Sequence, residues 1–240
     1  GDYDVDGITS VSLLYQALFK LGGKVAFYIP NRITDGYGLT IKNIKKIKSH
    51  NPDLIIAVDC GTTAIKAVEY AEENGIDIII CDHHETIECV PNASAVLNPK
   101  QEECSYPLKE LAGVGVVFKL VQGIYKTLKY SIEELEQYLD LVALGTAADI
   151  VPLIDENRVF VKFGLERINK NPRSGVFALI ESSALIGREI NVSIIIYNLA
   201  PRLNAVGRIS DAKTAVHLLT CKSLHQARNL AQILESMNKL

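Results

Sequence analysis

The sequence predicts an α/β fold in which a parallel sheet carries helices on both faces and is followed by a mainly helical subdomain. Two observations predict this fold. Short apolar runs typical of buried strands alternate with amphipathic segments through the first half of the chain, whereas the patterns of the second half are mainly helical. With 240 residues, of which 48% are hydrophobic, the chain is long enough for one large domain or one domain plus a subdomain.

The first elements follow from the spacing of apolar residues. Residues 9–21 carry apolar side chains on one face of a predicted helix, and a strand is predicted over 24–29. Isoleucines at helical spacing among lysines predict a second helix around 41–47. The apolar run 54–58 predicts a buried strand, and Asp59 follows directly at its carboxyl end.

The next unit repeats this order of elements. Thr62 or Thr63 is predicted to cap a helix that runs to about Glu73, and the turn 74–75 leads into a strand over 76–81. Ligands of open parallel sheets bind outside the carboxyl ends of the strands, where successive loops converge. Polar residues that directly follow these strands are therefore candidates for a functional site.

The remaining patterns predict helices that are separated by prolines at positions 152, 172 and 201. The predicted helices cover residues 116–129, 132–143, 157–169, 175–185, 192–198, 211–220 and 223–240. The segment 113–115, Gly-Val-Gly, is not a complete dinucleotide-binding fingerprint; it predicts close packing, or backbone amides that face a substrate phosphate at a helix N-terminus. We divide the chain into an α/β part over 1–112, a helical part over 113–222 and the start of an interdomain helix over 223–240.

Composition narrows the class of protein. The formal net charge of −3 argues against a broad nucleic-acid surface built from this segment alone. No apolar run approaches the ~20 residues of a membrane helix and no leader pattern is present, so we expect a cytoplasmic location. Five cysteines without CxxC spacing predict free thiols. The chain begins inside a motif that should follow a strand and ends within a helical pattern, so we expect a fragment of a longer protein.

Acidic residues are concentrated in four short motifs, which are GDYDVDG at 1–7, VDCG at 58–61, CDHH at 81–84 and GTAADIVPL at 145–153. Any one of these aspartates alone would be interpreted as a turn former or a helix cap. Gathered at ~4 Å, each pair of carboxylates would repel by roughly 4 kcal/mol at an effective dielectric of about 20. Divalent cations would remove this repulsion, and a mixed set of Asp and His ligands favours Mn²⁺ first and Mg²⁺ second. A pair of such ions is suited to the hydrolysis of phosphate esters.

These four motifs resemble those of the DHH phosphoesterase family in sequence, order and spacing. Within that family, PNRITDGYGL at 30–39, GTAADIVPL and APRLNAVGRI at 200–209 are more similar to the single-strand-specific DNA exonucleases than to oligoribonucleases, cyclic dinucleotide phosphodiesterases or family II pyrophosphatases. The resemblance runs over essentially the whole chain. It implies a centre with two Mn²⁺ or Mg²⁺ ions that hydrolyses single-stranded DNA from its 5′ end to mononucleotides, in DNA repair and recombination. It also implies a further DHH-associated domain outside this chain.

The resemblance also implies roles for individual residues. The implied metal ligands are Asp2, Asp4, Asp6, Asp59, His83 and Asp149. Asp59 would bridge the two ions, and Asp2 would act directly or from outside the ligand shell. Asp82 would orient a histidine, because metal-bound imidazoles commonly donate their second N–H to a carboxylate. His84 would contact the scissile phosphate and would therefore join the ligands as a catalytic residue.

A second group of residues is predicted to hold the phosphates of the substrate. Arg202, Asn204 and Arg208 offer charged forks and an amide within one short segment, which the resemblance places beside the active site. Arg32 is a further candidate for the same task. Tyr37 is predicted to stack on a base or, equally, to close a loop. The alternative for the two arginines of the first group is exposure at a helix end.

Three functions remain open at the level of sequence. The first is a 5′-to-3′ exonuclease that acts on single-stranded DNA. We expect this enzyme to be monomeric and not to bind membranes, and the resemblance implies a single-strand-binding protein or a helicase as its partner. The second is a phosphoesterase that acts on short oligonucleotides, cyclic dinucleotides or other small phosphorylated substrates. The third is a catalytically silent nucleic-acid-binding or scaffold protein, which the intact acidic and histidine motifs oppose.

Overall fold

A computed structural model of the chain describes residues 1–32, 34–86, 89–209 and 212–239, and for 208 and 209 it describes the backbone alone. The strands are β1 (Leu54–Val58), β2 (Asp77–Cys81) and β3 (Ala95–Leu97). The helices are α1 (Val5–Lys20), α2 (Ile41–Lys48), α3 (Ile65–Glu73), α4 (Gly113–Thr127), α5 (Leu139–Ala148), α6 (Asp155–Lys170), α7 (Ser174–Ser182), α8 (Val192–Ile194), α9 (Ala200–Ile209), α10 (Lys213–Thr220) and α11 (Leu224–Asn238). A 3₁₀ helix (Ile132–Tyr138) precedes α5, and a π-helical segment (Ile195–Leu199) joins α8 to α9.

The three strands form one parallel sheet in the order β1-β2-β3. Val58 at the end of β1 is paired with Cys81 at the end of β2, and Cys81 is paired in turn with Leu97. All three strands therefore end at the same edge of the sheet. The predicted α/β fold with a parallel sheet is confirmed, as are the bounds of the strand over 54–58.

Alternating side chains of the strands serve two separate apolar cores. Ile55 and Ala57 of β1 pack with apolar residues of α2 and α3 on one face. Val58 and the partly buried Ile56 contribute to the larger core on the other face, which includes residues of α1 and α4. Because side chains alternate along a strand, this division places helices on both faces of the sheet, as predicted.

The first helix begins earlier than the sequence predicted. Helix α1 starts at Val5 instead of residue 9, because the Asp4 carboxylate accepts a hydrogen bond from Gly7 N and caps the helix. Two aspartates that looked like loop residues thus lie at the helix start: Asp4 is the cap and Asp6 is in the first turn.

Two other predictions around the sheet were wrong. Residues 24–29 run extended but are not a strand; Tyr28 O accepts a hydrogen bond from the Gly1 amino group at 3.0 Å, and an extended segment becomes a strand only through a continuous ladder. Helix α3 begins after Ala64 and has no side-chain cap, so neither Thr62 nor Thr63 caps it. The short strand β3 was not predicted.

The helical part differs from prediction at α5 and α9. Helix α5 continues through Gly145 to Ala148. A Cβ on Gly145 would lie 2.8 Å from Val114 Cγ1 and 2.9 Å from Asp6 Oδ1. This glycine therefore permits close packing against α1 and α4 and does not end the helix. Pro201 likewise does not separate two helices, since it is the second residue of α9, which continues directly from the π-helical segment.

A buried ion pair fixes the start of α5. Asp140 is 0% exposed, and it accepts hydrogen bonds from Arg173 Nε at 2.7 Å and Arg173 Nη2 at 2.6 Å. The same guanidinium donates to the backbone oxygens of Gln137 and Leu219. Arg173 therefore connects the 3₁₀ helix, α5 and α10. None of the described helices is both long and apolar enough to cross a membrane.

Candidate metal centre

The first acidic motif forms a tight turn that leads into α1. The Asp2 carboxylate accepts a hydrogen bond from Tyr3 N at 2.7 Å, and Asp4 Oδ1 accepts one from Gly7 N at 3.0 Å. A Cβ on Gly7 would lie 2.7 Å from the carbonyl carbon of Asp2, so only glycine allows the chain to fold back this closely. The turn places three carboxylates near the carboxyl edge of the sheet.

The start of α4 holds the Asp6 carboxylate. Gly113 N and Val114 N donate to its two oxygens at 2.6 and 2.8 Å. Unpaired N–H groups at a helix N-terminus stabilise an anion, so the amides that were predicted to face a substrate phosphate instead bind a side chain of the protein. A Cβ on Gly113 would lie 2.7 Å from Asp59 Oδ1 and 3.0 Å from Asp6 Oδ2, which makes glycine necessary at this position.

Asp59 lies directly after β1 and is 1% exposed. Its backbone has a φ of 57°, a left-handed conformation that aspartate adopts more readily than most residues. Oδ1 lies 3.1 Å from His83 Nε2, whereas Oδ2 is buried and has no hydrogen-bond partner among the described residues. A buried carboxylate oxygen without a donor is costly, and this oxygen faces other acidic groups.

His83 contacts three of the predicted aspartates. Its Nε2 is 3.1 Å from Asp59 Oδ1 and 3.6 Å from Asp6 Oδ2, and its Nδ1 is 3.7 Å from Asp149 Oδ2. Asp149 reaches this position because α5 ends at Ala148, directly before it. The imidazole is therefore surrounded by carboxylates that come from α1, β1 and the end of α5.

Three groups of side chains have the spacing of metal ligands. In each group, one oxygen or nitrogen from each residue lies within 4.8 Å of the others. The groups are Asp2, Asp4 and Asp59; Asp6, His83 and Asp149; and Asp59, His83 and His84. Because the third group shares Asp59 with the first and His83 with the second, the three groups form one continuous site. The structure thus brings together the six predicted ligands and His84.

Crowding and burial shift the pKa values of these carboxyls upward. Burial and the nearby Asp4 raise the pKa of Asp2 to about 6, and the same two causes raise the pKa of Asp149 to about 6. Burial, followed by repulsion from Asp149, holds the pKa of Asp6 well above its usual range, and burial with repulsion from Asp6 does the same for Asp59. The positive groups near the cluster therefore do not outweigh its burial and its negative charge.

The pKa of His83 moves in the opposite direction. Burial, followed by the neighbouring His84, lowers the pKa of His83 to about 4. The imidazole is therefore neutral near pH 7. A neutral imidazole has a free nitrogen lone pair, which is the form that binds metal ions.

Asp82 does not join the ligand groups but holds the backbone of the loop that follows β2. Its Oδ1 accepts hydrogen bonds from His83 N at 2.8 Å and from His84 Nδ1 at 2.7 Å, and its Oδ2 accepts one from Thr62 N at 2.9 Å. Burial alone would raise the pKa of Asp82, but the bonds from His84 and Thr62 outweigh burial and hold this pKa below its usual range. The predicted role of Asp82, to orient a histidine, agrees with this geometry.

Aromatic and basic side chains lie beside the acidic cluster. The Tyr37 hydroxyl is 3.3 Å from His84 Nε2, and the Tyr37 ring meets the Tyr3 ring edge-on at 6.3 Å between centroids. The Arg32 guanidinium lies 5.5 Å from the centroid of the Tyr3 ring. Tyr37 is 52% exposed, so this row, Arg32-Tyr3-Tyr37-His84, offers a cation and ring surfaces to a ligand at the mouth of the site.

Arg202 is engaged away from the acidic cluster. Its Nε donates to the Glu235 carboxylate of α11, and its Nη1 donates to Asn198 O at 2.7 Å. The guanidinium therefore links α9 to α11 and to the π-helical segment, and its predicted contact with a substrate phosphate stays a prediction.

The other residues of this segment have separate positions. A Cβ on Gly207 would lie 2.5 Å from Tyr3 O, so the second half of α9 packs closely against the first acidic motif. Asn204 Oδ1 is buried and has no partner among the described residues. The side chain of Arg208 lies outside the described residues, so its predicted role stays a prediction.

Sequence reasoning missed two polar residues that support the site. Thr62, which was expected to cap a helix, binds Asp82 instead, and the Asn98 amide donates to both Thr62 Oγ1 and His84 O at 2.9 Å. The only local signal for Asn98 was its place after a short apolar run and before a proline. Nothing in the sequence indicated that Thr62 would turn its backbone towards a carboxylate.

Several known proteins are similar to this chain over its whole length. A family model described as the N-terminal domain of the DHH family matches residues 1–146. The single-stranded-DNA-specific exonuclease RecJ of Bacillus subtilis (strain 168) is 45% identical over 239 residues, which are 100% of this chain and 30% of that protein. The protein of the same name from Escherichia coli (strain K12) is 38% identical over 250 residues, covering 100% of this chain and 43% of that protein. The chain thus spans less than half the length of these relatives.

Solved structures give the same comparison in three dimensions. A crystal structure of exonuclease RecJ bound to manganese superimposes with a TM-score of 0.90 at 33% identity, covering 100% of this chain and 60% of that one. RecJ from Thermus thermophilus in complex with Mn²⁺ superimposes with a TM-score of 0.86 at 30% identity, covering 100% of this chain and 34% of that one.

Proposed function

The chain belongs to the DHH family, and on this premise we propose that it carries the catalytic site of a hydrolase that degrades single-stranded DNA from the 5′ end to mononucleotides. The resemblance to this family that the four motifs predicted is confirmed. The proposal rests on one observation: three groups of possible metal ligands lie together at the carboxyl edge of the sheet, and the third group shares Asp59 with the first and His83 with the second. A role in DNA repair and recombination is part of the same proposal.

The residues present fit a pair of divalent cations. Asp59 Oδ2 is buried without a hydrogen-bond partner among the described residues, and the pKa values of Asp2 and Asp149 stay raised although His84 lies close enough to lower both of them. Carboxylate oxygens with one imidazole nitrogen match the preferences of Mn²⁺ and Mg²⁺. A cation would satisfy the orphaned oxygen and lower the repulsion among the acids.

We assign the ligands to the two ions by group. One ion would be held by Asp2, Asp4 and Asp59, and the other by Asp6, His83 and Asp149, with Asp59 between them. When bound, the two ions supply Lewis acidity, acidify a water molecule and offset charge on the phosphate. The helix N-terminus that grips Asp6 keeps one ligand fixed before any ion arrives.

His84 is the group of this chain best placed to meet the scissile phosphate. Asp82 holds its Nδ1, so Nε2 is directed towards the cleft, where the Tyr37 hydroxyl lies 3.3 Å away. The hydrogen bond that His84 Nδ1 donates to Asp82 raises the pKa of His84, which favours the protonated ring. A protonated imidazole at this position donates a hydrogen bond to a phosphate oxygen or a proton to a leaving oxygen.

Arg32 and Tyr37 are proposed to receive the strand at the mouth of the site. Arg32 is exposed beside Tyr3 and would pair with a phosphate as a charged fork. The half-exposed Tyr37 ring is available for stacking on a base, which tolerates any sequence. Asn204 and Arg208 remain candidates on the adjacent helix, whereas the contact of Arg202 with Glu235 favours a structural role for that residue.

The wider setting of the protein follows from the proposed substrate. We propose that it works as a monomer in the cytoplasm and meets single strands produced by a helicase or held by a single-strand-binding protein. The support is that the relatives are named single-stranded-DNA-specific exonucleases. Analytical ultracentrifugation and pull-downs with these two kinds of protein test this part separately from catalysis.

One comparative assay tests the catalytic proposal. The full-length protein is given Mn²⁺ and, in separate reactions, 5′-phosphorylated single-stranded DNA, duplex DNA, di- and trinucleotides, cyclic dinucleotides and pyrophosphate. We expect mononucleotides from the single strand while the duplex is spared. Asp59→Ala should abolish turnover, whereas the matched control Asp53→Ala, at the opposite end of β1, should retain it because Asp53 is exposed and lies outside the ligand groups.

The outcomes separate the remaining functions. Faster turnover of short oligonucleotides, cyclic dinucleotides or pyrophosphate would replace the exonuclease with the small-substrate phosphoesterase. Tight binding of single-stranded DNA without any turnover would favour the silent binding protein. Equal loss of activity in Asp53→Ala and Asp59→Ala would remove the assignment of Asp59 to the metal centre.

A further inference from the structure

Asn98 lies beneath the histidine loop, which we define as Asp82, His83 and His84. It directly follows β3 and is 2% exposed. The end of β3 is joined to the start of the loop, because Asp82 N donates to Leu97 O at 3.0 Å. The position of Asn98 at the end of β3 thus places its buried amide group next to the histidine loop.

All the polar atoms of the Asn98 side chain are used. Its Nδ2 donates to Thr62 Oγ1 and to His84 O, both at 2.9 Å, and its Oδ1 accepts from Lys100 N at 2.9 Å. An amide nitrogen has two hydrogens to donate. One is donated to His84 of the histidine loop and the other to Thr62, which lies next to it. A buried side chain that is satisfied in this way has one orientation.

These bonds close a ring of four residues. Asn98 donates to Thr62, Thr62 N donates to Asp82 Oδ2 at 2.9 Å, and Asp82 Oδ1 binds His84 Nδ1 at 2.7 Å. The ring closes where the backbone oxygen of His84 accepts from Asn98. His84 is therefore held through its side chain by Asp82 and through its backbone carbonyl by Asn98, while its Nε2 lies beside the exposed Tyr37 hydroxyl, at 3.3 Å.

Only asparagine satisfies both acceptors of this ring without adding charge. Aspartate at this position would present oxygens where Thr62 Oγ1 and His84 O now accept, and alanine would leave both acceptors buried without a donor. His83 is held differently, since its ring contacts Asp59, Asp6 and Asp149 directly. Removal of the Asn98 amide should therefore disturb His84 much more than it disturbs the ligand groups.

We propose that Asn98 is a positioning residue for His84, acting through the closed ring of hydrogen bonds with Thr62 and Asp82. This inference rests on the proposed function, because the importance of His84 is part of that proposal. It assigns to Asn98 an effect on turnover that is transmitted by His84 and is largely separate from metal binding.

The test measures turnover and metal affinity in the same variants of the full-length protein. Asn98→Ala should lower kcat on single-stranded DNA by about 100-fold, the cost typical of a catalytic group displaced by about 1 Å. Calorimetric titration with Mn²⁺ alone should show an affinity loss below about tenfold, less than is typical for residues that orient a metal ligand. Asn98→Asp keeps the shape of the side chain and should lose turnover similarly, so it carries the test if the alanine variant does not fold.

A double-mutant cycle separates positioning from general stability. In a His84→Ala background, Asn98→Ala should have little further effect on kcat, because the residue through which it acts is already gone. Asn169→Ala is the matched control: its Nδ2 also donates to two backbone oxygens, those of Leu165 and Ile190, and its Oδ1 accepts from Ile190 N, all away from the site. Asn169→Ala should leave kcat unchanged.

The results decide the inference in either direction. Additive losses in the double variant, or a loss of Mn²⁺ affinity as large as the loss of kcat, would overturn it. If the unaltered protein released no nucleotides, the proposed function would fail first. The role of Asn98 can then still be tested by NMR. The signals of the His84 imidazole should shift in Asn98→Ala and stay in place in Asn169→Ala. Unchanged signals in both variants would reject the positioning role.

Discussion

Two regions contain buried carboxylates, and α5 connects them. At the start of α5, Asp140 is 0% exposed and receives two hydrogen bonds from Arg173. Beyond the other end of α5, Asp149 joins a cluster in which Asp59 is 1% exposed and one of its oxygens has no partner among the described residues. In the first region an arginine pairs directly with the buried acid, whereas in the second no arginine or lysine of the described residues pairs with Asp59.

This difference shows how a metal site can be distinguished from a structural ion pair. A buried acid is by itself weak evidence of function, because ion pairs such as Asp140 with Arg173 also occur in protein interiors. What marks the cluster is that, among the described residues, no arginine or lysine pairs with Asp59, while several pKa values are shifted upward. Four predictions test this contrast, from the largest expected effect to the smallest.

Arg173→Met should be the most destabilising change, because it removes two direct hydrogen bonds to the buried Asp140 carboxylate and leaves it the more distant Arg167 Nε at 4.0 Å. We expect a loss of about 3–5 kcal/mol in the free energy of unfolding, which corresponds to roughly 6–20 °C in Tm for a chain of this size. Thermal unfolding measures it. Arg228→Met, which removes an exposed pair with Glu181, should change Tm little, and an equally small change in Arg173→Met would end the contrast.

Gly113→Ala should weaken metal binding, whereas the same change at Gly123, on the same helix, should not. The new Cβ would lie 2.7 Å from Asp59 Oδ1 and 3.0 Å from Asp6 Oδ2, so both ligands must move, and Mn²⁺ affinity should fall by about 10–100-fold. Gly123→Ala is the matched control, since nothing lies within 4 Å of a Cβ there. Titration of both variants with Mn²⁺ compares them directly, and equal affinities would contradict the prediction.

Without metal, stability should fall as the pH rises from about 4 to about 7. Asp2 and Asp149 have a pKa of about 6 when folded and 3.8 when unfolded, so between these values the folded state holds protons that the unfolded state has released. Each shift of about two pKa units corresponds to up to roughly 3 kcal/mol; solvent screening of these incompletely buried carboxyls reduces this figure, so we expect a loss of at least about 2 kcal/mol across this window.

Thermal unfolding in a chelator, repeated with saturating Mn²⁺, measures this pH dependence. Mn²⁺ should remove it above pH 6, because the ions offset the ionised carboxylates. The double variant Asp2→Asn, Asp149→Asn should have a flatter profile without metal. A metal-free protein whose Tm increases steadily from pH 4.5 to 7 would contradict the assigned pKa values.

Asp59→Asn should stabilise the metal-free protein at pH 8, whereas Asp140→Asn should destabilise it. The first change removes a buried carboxyl whose pKa is held well above its usual range by burial and by Asp6, so at pH 8 the ionised group opposes folding and its removal should increase the free energy of unfolding. The second change leaves Arg173 without its partner. Denaturant unfolding of the two variants gives the signs, and the same sign in both would show that the two regions do not differ as proposed.

The sequence was most informative where one short pattern decides one feature. The apolar run 54–58 is long enough to predict β1 to the residue, and the four acidic motifs named the ligands that the fold brings together. Helix α5 was predicted to end too early, because Gly145 was indistinguishable from a helix-ending glycine until its contact with Val114 was known.

The supporting contacts of the site could not be predicted, because each depends on residues that are distant in the chain. Asp6 is bound by the amide of Gly113, and His84 is bound by Asn98. The three-residue strand β3 has too little periodicity to be recognised. Arg202 was predicted from a motif to bind phosphate, but its contact with Glu235 becomes visible only when α9 packs on α11.

The wide spacing of the ligands along the chain has a consequence for the time at which the centre appears during synthesis. A ribosome that adds about 5–20 residues per second needs roughly 7–30 s to proceed from Asp2 to Asp149. Throughout this interval the nascent chain lacks the last ligand and the complete helix that positions it. The full set of candidate ligands therefore comes together only after α5 has left the ribosome and docked, so the centre is among the last features of this region to form.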